Sequence, residues 1–396
     1  MKKLFSLICV INILILNIAP LFVSAKVATK KPVTINVYNW GEYISDGTDG
    51  LIDVNKEFTR RTGIQVNYTT YQNNEELSAK LLAKGASYDV IFPSDYTVDK
   101  LRKKDMLEKL DFNKIPNFSK IDSSFYNPNY DPTNEYSVPY TWGVVGIFYN
   151  KKFVTEPEEQ IGWNILWNEK YKGKILMFDN SRDAFGIAQI LLGKSVNSSN
   201  PKDYYDAADK LSEQHSYVQA YVMDQIYDKI RNEEAVVAPY YSGDAAVLTK
   251  DNPNIGFVIP KEGTTKFIDA MCIPKGAEHP NEAMQYINFM CETDIGLANV
   301  SRIGYSTPQK EVKNLLDPEV SNNEIFYPSE KVLSKSQIFT SLPNDIGLLL
   351  DDLWVQIKAG GNGNAMILVI VLCSFLGAYI FIVAYKRLKA RREFRK

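Results

Sequence analysis

The side chains that could carry chemistry in this 396-residue chain are few in kind. Its two histidines, His215 and His279, stand far apart among surface-type residues, which leaves no ordinary zinc site and no usual catalytic triad. Gly193-Lys194-Ser195 has the ending of a phosphate-binding loop, but the first glycine of that motif falls on Ala188 and the match fails. Acids are numerous enough to form many accidental pairs, so they carry little weight for glycoside hydrolysis. The informative residues are acids and aromatics in apolar settings. Asp269 lies inside the apolar run from Lys266 to Pro274, and a carboxylate buried there without a partner is costly, which favours a ligand contact over a structural role. Trp40 closes the alternating, β-branched run from Val33, and Ser94 follows the short apolar run Tyr88–Pro93. This points to capture of a cation rather than to bond-making.

The elements that must position these residues follow from periodicity. Val33–Trp40 reads as a strand, Gly50–Thr62 as a helix ending before Gly63, Ile64–Tyr71 as a strand, Asn73–Lys84 as a helix and Tyr88–Pro93 as a short buried strand. That β-α-β-α-β order predicts a mostly parallel sheet with helices on both faces, and ligands sit beyond the carboxyl ends of such strands, where Trp40 and Ser94 fall. The aromatic passage Tyr136–Tyr149 is long enough to leave one lobe and enter another, and reads as a hinge strand. Lys174–Asp179 and Ala235–Tyr241 are expected strands of a second lobe, with helices near Asp183–Leu192 and Asp203–Gln214. Ile255–Pro260 and Lys266–Pro274 read as the return crossing, and Asn281–Cys291 as a helix back on the first lobe. About 330 residues suit two lobes better than one core.

The ends of the chain carry addresses. Lys2 and Lys3 precede the apolar stretch Leu4–Val23, which closes on Ser24-Ala25 as a signal peptide over residues 1–25 does. Cys9 lies inside that stretch, not after it, so lipid attachment is not expected. Residues 365–385 hold no charge, enough to cross about 30 Å of hydrocarbon as a transmembrane helix. The bases from Lys386 to Lys396 put a tail of residues 386–396 in the cytoplasm, and 358–364, with three glycines, is the flexible linker. The expected location is therefore the extracytoplasmic face of a membrane, anchored by one span. Setting aside Lys2, Lys3, the seven tail bases and Glu393, residues 26–364 carry a charge of about −10 although the whole chain carries only −2. An acidic exterior favours a cationic ligand and disfavours nucleic acid. Cys272 and Cys291 read as buried thiols, with a disulfide between them as the alternative.

Several segments in order carry a family resemblance: Tyr38-Asn-Trp-Gly-Glu-Tyr43, Pro93–Asp99, Tyr136–Gly143, Asp179–Phe185, Ile259–Gly263, Ile268-Asp269 and Ile303–Pro308. Together they resemble the spermidine/putrescine-binding solute receptors of ABC importers across nearly all of residues 33–357. The resemblance implies an α/β, two-lobed periplasmic-binding-protein-like fold with hinge strands, to which this chain adds the C-terminal transmembrane helix. It places lobe one at 33–138 and 268–310 and lobe two at 139–267 and 311–357. It also implies an aromatic box of Trp40, Tyr43, Tyr96, Tyr241, Phe267 and Tyr305, with Asp183 and Asp269 pairing with amines, Ser94 accepting from a terminal ammonium and Glu42 adding charge. Tyr241 and Phe267 stand where the family has tryptophans, Asn180 where it has an aspartate, Pro343 near a family glutamine, and Asp95 where the family has a small polar residue.

The implied function is capture of a polyamine, without cofactor or turnover, and delivery to an ABC permease. Two alternatives stay open. Adjacent Tyr240 and Tyr241 could serve a ferric-iron receptor, and the single span suits a membrane-anchored sensor.

Overall fold

Strand β1 (Thr34–Trp40) buries Ile35 and Val37 and forms the middle of a three-stranded sheet. It lies between β2 (Gln65–Tyr71) and β3 (Val90–Ile91), all parallel, as the β-α-β-α-β reading predicts. The first crossover helix, α1 (Val54–Thr62), starts where the Asp53 side chain accepts from the Lys56 N–H and stops at Gly63, whose φ of 76° suits glycine. Asn73 caps α2 (Asn74–Leu82) in the same way. Strand β3 is shorter than its apolar run because the backbone leaves the parallel ladder. Ile91 exchanges two bonds of 2.9 Å with Cys272, and the Ala270 N–H donates to the Pro93 carbonyl at 3.0 Å. Helix α3 (Asp95–Lys103) follows at once.

Those antiparallel bonds join the small sheet to a seven-stranded one. Its spine is β4 (Val138–Asn150), buried along its whole length. Six further strands complete that sheet: β5 (Ile175–Phe178), β6 (Val218–Val222), β7 (Val237–Tyr241), β8 (Ile255–Val258), β9 (Thr265–Met271) and the short β10 (Gln337–Ile338). The first half of β4 pairs with β9 and its second half with β7 and β8, all antiparallel. Strand β5 lies parallel to β6 and β7, and β10 pairs with β9 at the other edge. The sequence reading has no counterpart of β6: only Val222 in it is buried, so as an edge strand it lacks the apolar alternation that announces β1.

Helices α4 (Ser181–Leu191), α5 (Pro201–His215), α6 (Ile226–Arg231) and α7 (Asp244–Asp251) surround the large sheet. Helices α8 (Pro280–Met290) and α9 (Thr293–Ile303) follow β9, and α10 (Asn344–Lys358) packs on α4 and α5. One buried cluster gathers Trp163, Phe178, Phe185 and Trp354 around β5 and the second half of β4. Another gathers Tyr71, Ile91, Val98 and Trp142 around β1, β3 and the first half of β4. Two cores threaded by one continuous strand make a two-lobed α/β fold.

Cys272 and Cys291 are buried free thiols, so the disulfide alternative is not realised. The computed structural model describes residues 32–83 and 87–360. The signal peptide expected at 1–25, the end of the linker expected at 358–364, the span expected at 365–385 and the tail at 386–396 lie outside the described residues. Among the described residues no helix is long and apolar enough to cross a membrane.

Where β4 passes between the cores, Gly146 is needed for space. A Cβ there would lie 2.3 Å from Phe257 Cζ and 2.8 Å from the Val258 carbonyl oxygen. Gly146→Ala is therefore expected to force β8 away from β4 and cost about 1–3 kcal/mol in urea unfolding, whereas an unchanged midpoint would contradict this strand pairing.

Candidate ligand-binding site

The site lies at the carboxyl ends of β1, β3, β5 and β7, where the two cores face each other. Asp269 sits on β9 at the seam between the sheets. Its carboxylate accepts from the Ser94 hydroxyl at 2.6 Å and from the Tyr43 hydroxyl at 2.6 Å. Ser94, bridged to Asp269 through the backbone, also accepts from the Asn74 amide at 3.1 Å. Phe267, two residues before Asp269, shares its face of β9.

From β1, the Trp40 indole N–H is fixed on the Phe92 carbonyl at 2.9 Å. Tyr43 is buried, while Glu42, at φ 48°, turns its carboxylate to Arg302 at 3.1 Å and is more than half exposed. From β3, Asp95 is fully buried and accepts from the Tyr96 N–H at 2.7 Å and the Ile268 N–H at 3.3 Å. The Tyr96 ring lies 5.5 Å under the Arg182 guanidinium. That guanidinium spends its N–H groups on the Val196 and Thr340 carbonyls and the Asn197 side chain, not on a carboxylate.

From β5, the Asn180 side chain caps α4 by accepting from the N–H groups of Arg182 and Asp183. Asp183, in the first turn, accepts from the Tyr241 hydroxyl at 2.7 Å. From β7 the arrangement repeats. Asp244, in the first turn of α7, accepts from the Tyr305 hydroxyl at 2.7 Å and from that of Tyr227. Tyr305 can come that close because residue 243 is glycine: a Cβ there would lie 2.0 Å from its ring. Tyr43, Tyr305, Phe267 and Tyr241 then run as a wall with successive centroids 4.8, 6.0 and 5.2 Å apart.

All twelve residues singled out from the sequence, Trp40, Glu42, Tyr43, Ser94, Asp95, Tyr96, Asn180, Asp183, Tyr241, Phe267, Asp269 and Tyr305, line one cavity of about 650 Å³ counting its open mouth. The cavity also takes in Asp244, Asp224, Tyr227, Asn74 and Phe339, which sequence reasoning missed. Asp244 had a signal, since it follows a strand end by three residues just as Ser94 follows one. Among the described residues that line the cavity none is lysine, arginine or histidine.

Burial raises the carboxyls. It pushes Asp183 up to about 7 against a partial offset from the Tyr241 hydroxyl, and Asp244 up to about 7 against Tyr227 and Tyr305. Asp269 rises to about 6 against Ser94 and Tyr43. The helix N-termini under Asp183 and Asp244 favour the charged form, and desolvation outweighs them. Carboxylates short of positive charge among edge-to-face rings suit an organic cation.

The chain belongs to the family of bacterial extracellular solute-binding proteins, whose model matches residues 54–328. Among curated relatives it is 35% identical over 331 residues to the spermidine/putrescine-binding periplasmic protein of Escherichia coli K12, covering 83% of this chain and 92% of that one. Among solved structures it resembles a putative spermidine/putrescine ABC transporter protein from Listeria monocytogenes, with TM-score 0.77, 34% identity and coverage of 82% and 98%. The spermidine/putrescine ABC transporter substrate-binding protein of Streptococcus pneumoniae gives TM-score 0.69 and 32% identity over 83% of this chain and 100% of that one.

Because the folded Asp183 value of about 7 exceeds its ordinary 3.8, the folded chain holds a proton that the unfolded chain has lost between about pH 4 and 7. Its contribution to stability therefore falls as pH rises through that window. Ligand-free Asp183→Asn should match the parent protein near pH 4 and gain on it by up to about 1.4 kcal/mol per pH unit toward pH 7, measured by urea unfolding. A difference independent of pH would show that Asp183 ionises normally.

Proposed function

We propose that this protein captures a linear polyamine, putrescine or spermidine, outside the cytoplasm between two closing lobes, and delivers it to the permease of an ABC importer. The observation that carries this reading is the cavity's charge: Asp183, Asp244 and Asp269 are buried among aromatic rings with hydroxyl donors and no basic side chain lining it. A polyamine supplies what is missing, ammonium groups for the carboxylates and methylenes for the rings. The relatives' names, which specify spermidine and putrescine, support the same ligand class.

In this reading Trp40, Tyr43, Tyr96, Tyr241, Phe267 and Tyr305 enclose the aliphatic chain, and Asp183, Asp244 and Asp269 pair with its amines. Ser94, which donates to Asp269, accepts from a terminal ammonium through the lone pair that the Asn74 amide leaves free. Asp95, whose oxygens are engaged by backbone N–H groups, and Glu42, engaged by Arg302, contribute potential rather than contacts. Asn180 shapes the site as the cap of α4. Lobe one comprises 33–138 and 268–310 and lobe two 139–267 and 311–357, a division supported by most members of the two buried clusters, with Trp142 of β4 packing on the lobe-one side. The protein is a receptor without turnover. A signal peptide at 1–25 exports it, and the uncharged stretch 365–385 followed by a basic tail anchors it by one span.

No observation favours iron. Binding ferric ion would need tyrosinates at 240 and 241, and burial, then the neighbouring aspartates, push both phenols well above their ordinary value.

Calorimetry of the full chain in mild detergent tests the reading, with putrescine, spermidine, ferric citrate and a neutral amino acid as titrants. A polyamine should bind with Kd of about 1 μM or tighter, about −8 kcal/mol, and Asp269→Ala should weaken it at least about 100-fold, as loss of a buried charge partner does. An ammonium favours the ionised carboxyl and protons compete for it, so affinity should fall as pH drops from 8 to 6, by about tenfold for each carboxyl near 7. Absence of polyamine binding would leave the two-lobed fold standing and remove the ligand assignment.

A further inference from the structure

Asp224 differs from the other cavity acids. It follows β6 on the large-sheet side and is half-buried at the cavity wall, whereas Asp183, Asp244 and Asp269 are buried and each receives a tyrosine hydroxyl. No tyrosine hydroxyl donates to Asp224 among the described bonds, and the Gln72 side chain across the cleft only partly offsets its burial. A like charge, Glu42 across the cleft, raises its carboxyl further.

Its position depends on one residue of the opposite side. Gly41, directly after β1, lies under the Asp224 carboxylate so closely that a Cβ at 41 would fall 2.1 Å from Oδ2 and 3.2 Å from Cγ. The backbone of Gly41 lacks the positive φ that would call for glycine on conformational grounds. Space for the carboxylate is therefore what the missing side chain provides. Gly41 and Asp224 come from different sheets, so this contact forms only when the two sides of the cleft are together. Closing them brings Asp224 toward Glu42, a like-charge approach that a cation in the mouth would relieve.

We propose that Asp224 is a specificity-determining residue, admitted to the cleft mouth by Gly41, where it pairs with an additional ammonium group and so favours a triamine over a diamine. This rests on the polyamine reading and goes beyond it by naming what counts the ligand's charges. The buried acids hold the amines that any polyamine supplies; Asp224 is the carboxylate for which a longer, more highly charged ligand has a further group.

The test is a double-mutant cycle on the full chain in detergent, with spermidine and putrescine titrated into the parent protein, Asp224→Asn, Gly41→Ala and the pair, and thermal unfolding of each recorded. Both single variants should lower spermidine affinity about tenfold or more and putrescine affinity less than threefold, so that the ratio of the two Kd values falls. The double variant should lose no more than Asp224→Asn alone, because Gly41→Ala acts by displacing the same carboxylate. Equal losses for both amines, additive losses, or no loss in Asp224→Asn while the parent binds spermidine would each overturn the proposal and leave polyamine capture intact. Failure of the parent protein to bind either amine would overturn both. Asp224→Glu, which keeps the charge on a longer stem, should retain the preference that Asp224→Asn loses.

Discussion

The molecule is organised around carboxyls taken out of water without cations to meet them. Removing an ionised carboxylate from water is among the most expensive events in folding, and proteins answer it with an opposite charge, with donors, or by holding the proton. Here Asp183, Asp244 and Asp269 receive hydroxyl donors only. A neutral donor satisfies a lone pair and leaves the charge in place, so desolvation prevails: Asp183 and Asp244 are pushed up to about 7 and Asp269 to about 6. A cationic ligand inverts that balance, since it brings the charge that the fold withholds. The site thus has its strongest reason to bind where the apoprotein is least comfortable.

The strand arrangement is what makes such a site tolerable. Asp269 and Ser94 face each other in a backbone bridge where β9 joins the small sheet, so both polar groups are positioned by hydrogen-bonded backbone rather than by a loop. Strand β4 runs through both cores and carries Thr141, whose hydroxyl meets that of Tyr43, beside the same seam. Asp183 and Asp244 stand alike, each in the first turn of a helix that begins just beyond a strand of the large sheet. One side of the cleft therefore contributes Asp269 from the seam and the other contributes two helix-borne acids. A ligand that contacts all three has to hold the two sides together, which gives closure a differential binding energy to draw on.

The parts legible in the sequence were those where a local rule and the tertiary outcome agree. Alternation gave β1 and β2, Gly63 marked the end of α1 although the periodicity starts that helix at Gly50 rather than after Asp53, and an acid in an apolar strand singled out Asp269. The parts that stayed hidden depend on contacts distant in the chain. Strand β3 is cut short by Cys272, some 180 residues on, and β6 is an edge strand with a mostly half-exposed surface. Asp224 looks like a surface acid in its own segment, and Asp244 interrupts no apolar run, so that only its place three residues after a strand end signals it. Asp244 becomes buried only because Tyr305, from beyond α9, closes over Gly243. Only the fold puts that tyrosine there.

The departures from the resembled receptors also have a physical meaning once the site is seen whole. Asn180 accepts the N–H groups of Arg182 and Asp183 as an aspartate in the same place would, so the cap survives while one negative charge beside Asp183 is gone. With less like charge at the start of α4, Asp183 is left to the Tyr241 hydroxyl. That hydroxyl exists because a phenol stands where a tryptophan would offer more ring area. Asp244 supplies a carboxylate at the start of α7, where Tyr227 and Tyr305 serve it as Tyr241 serves Asp183. The two helix starts thus each present a carboxylate served by phenol hydroxyls rather than by cations.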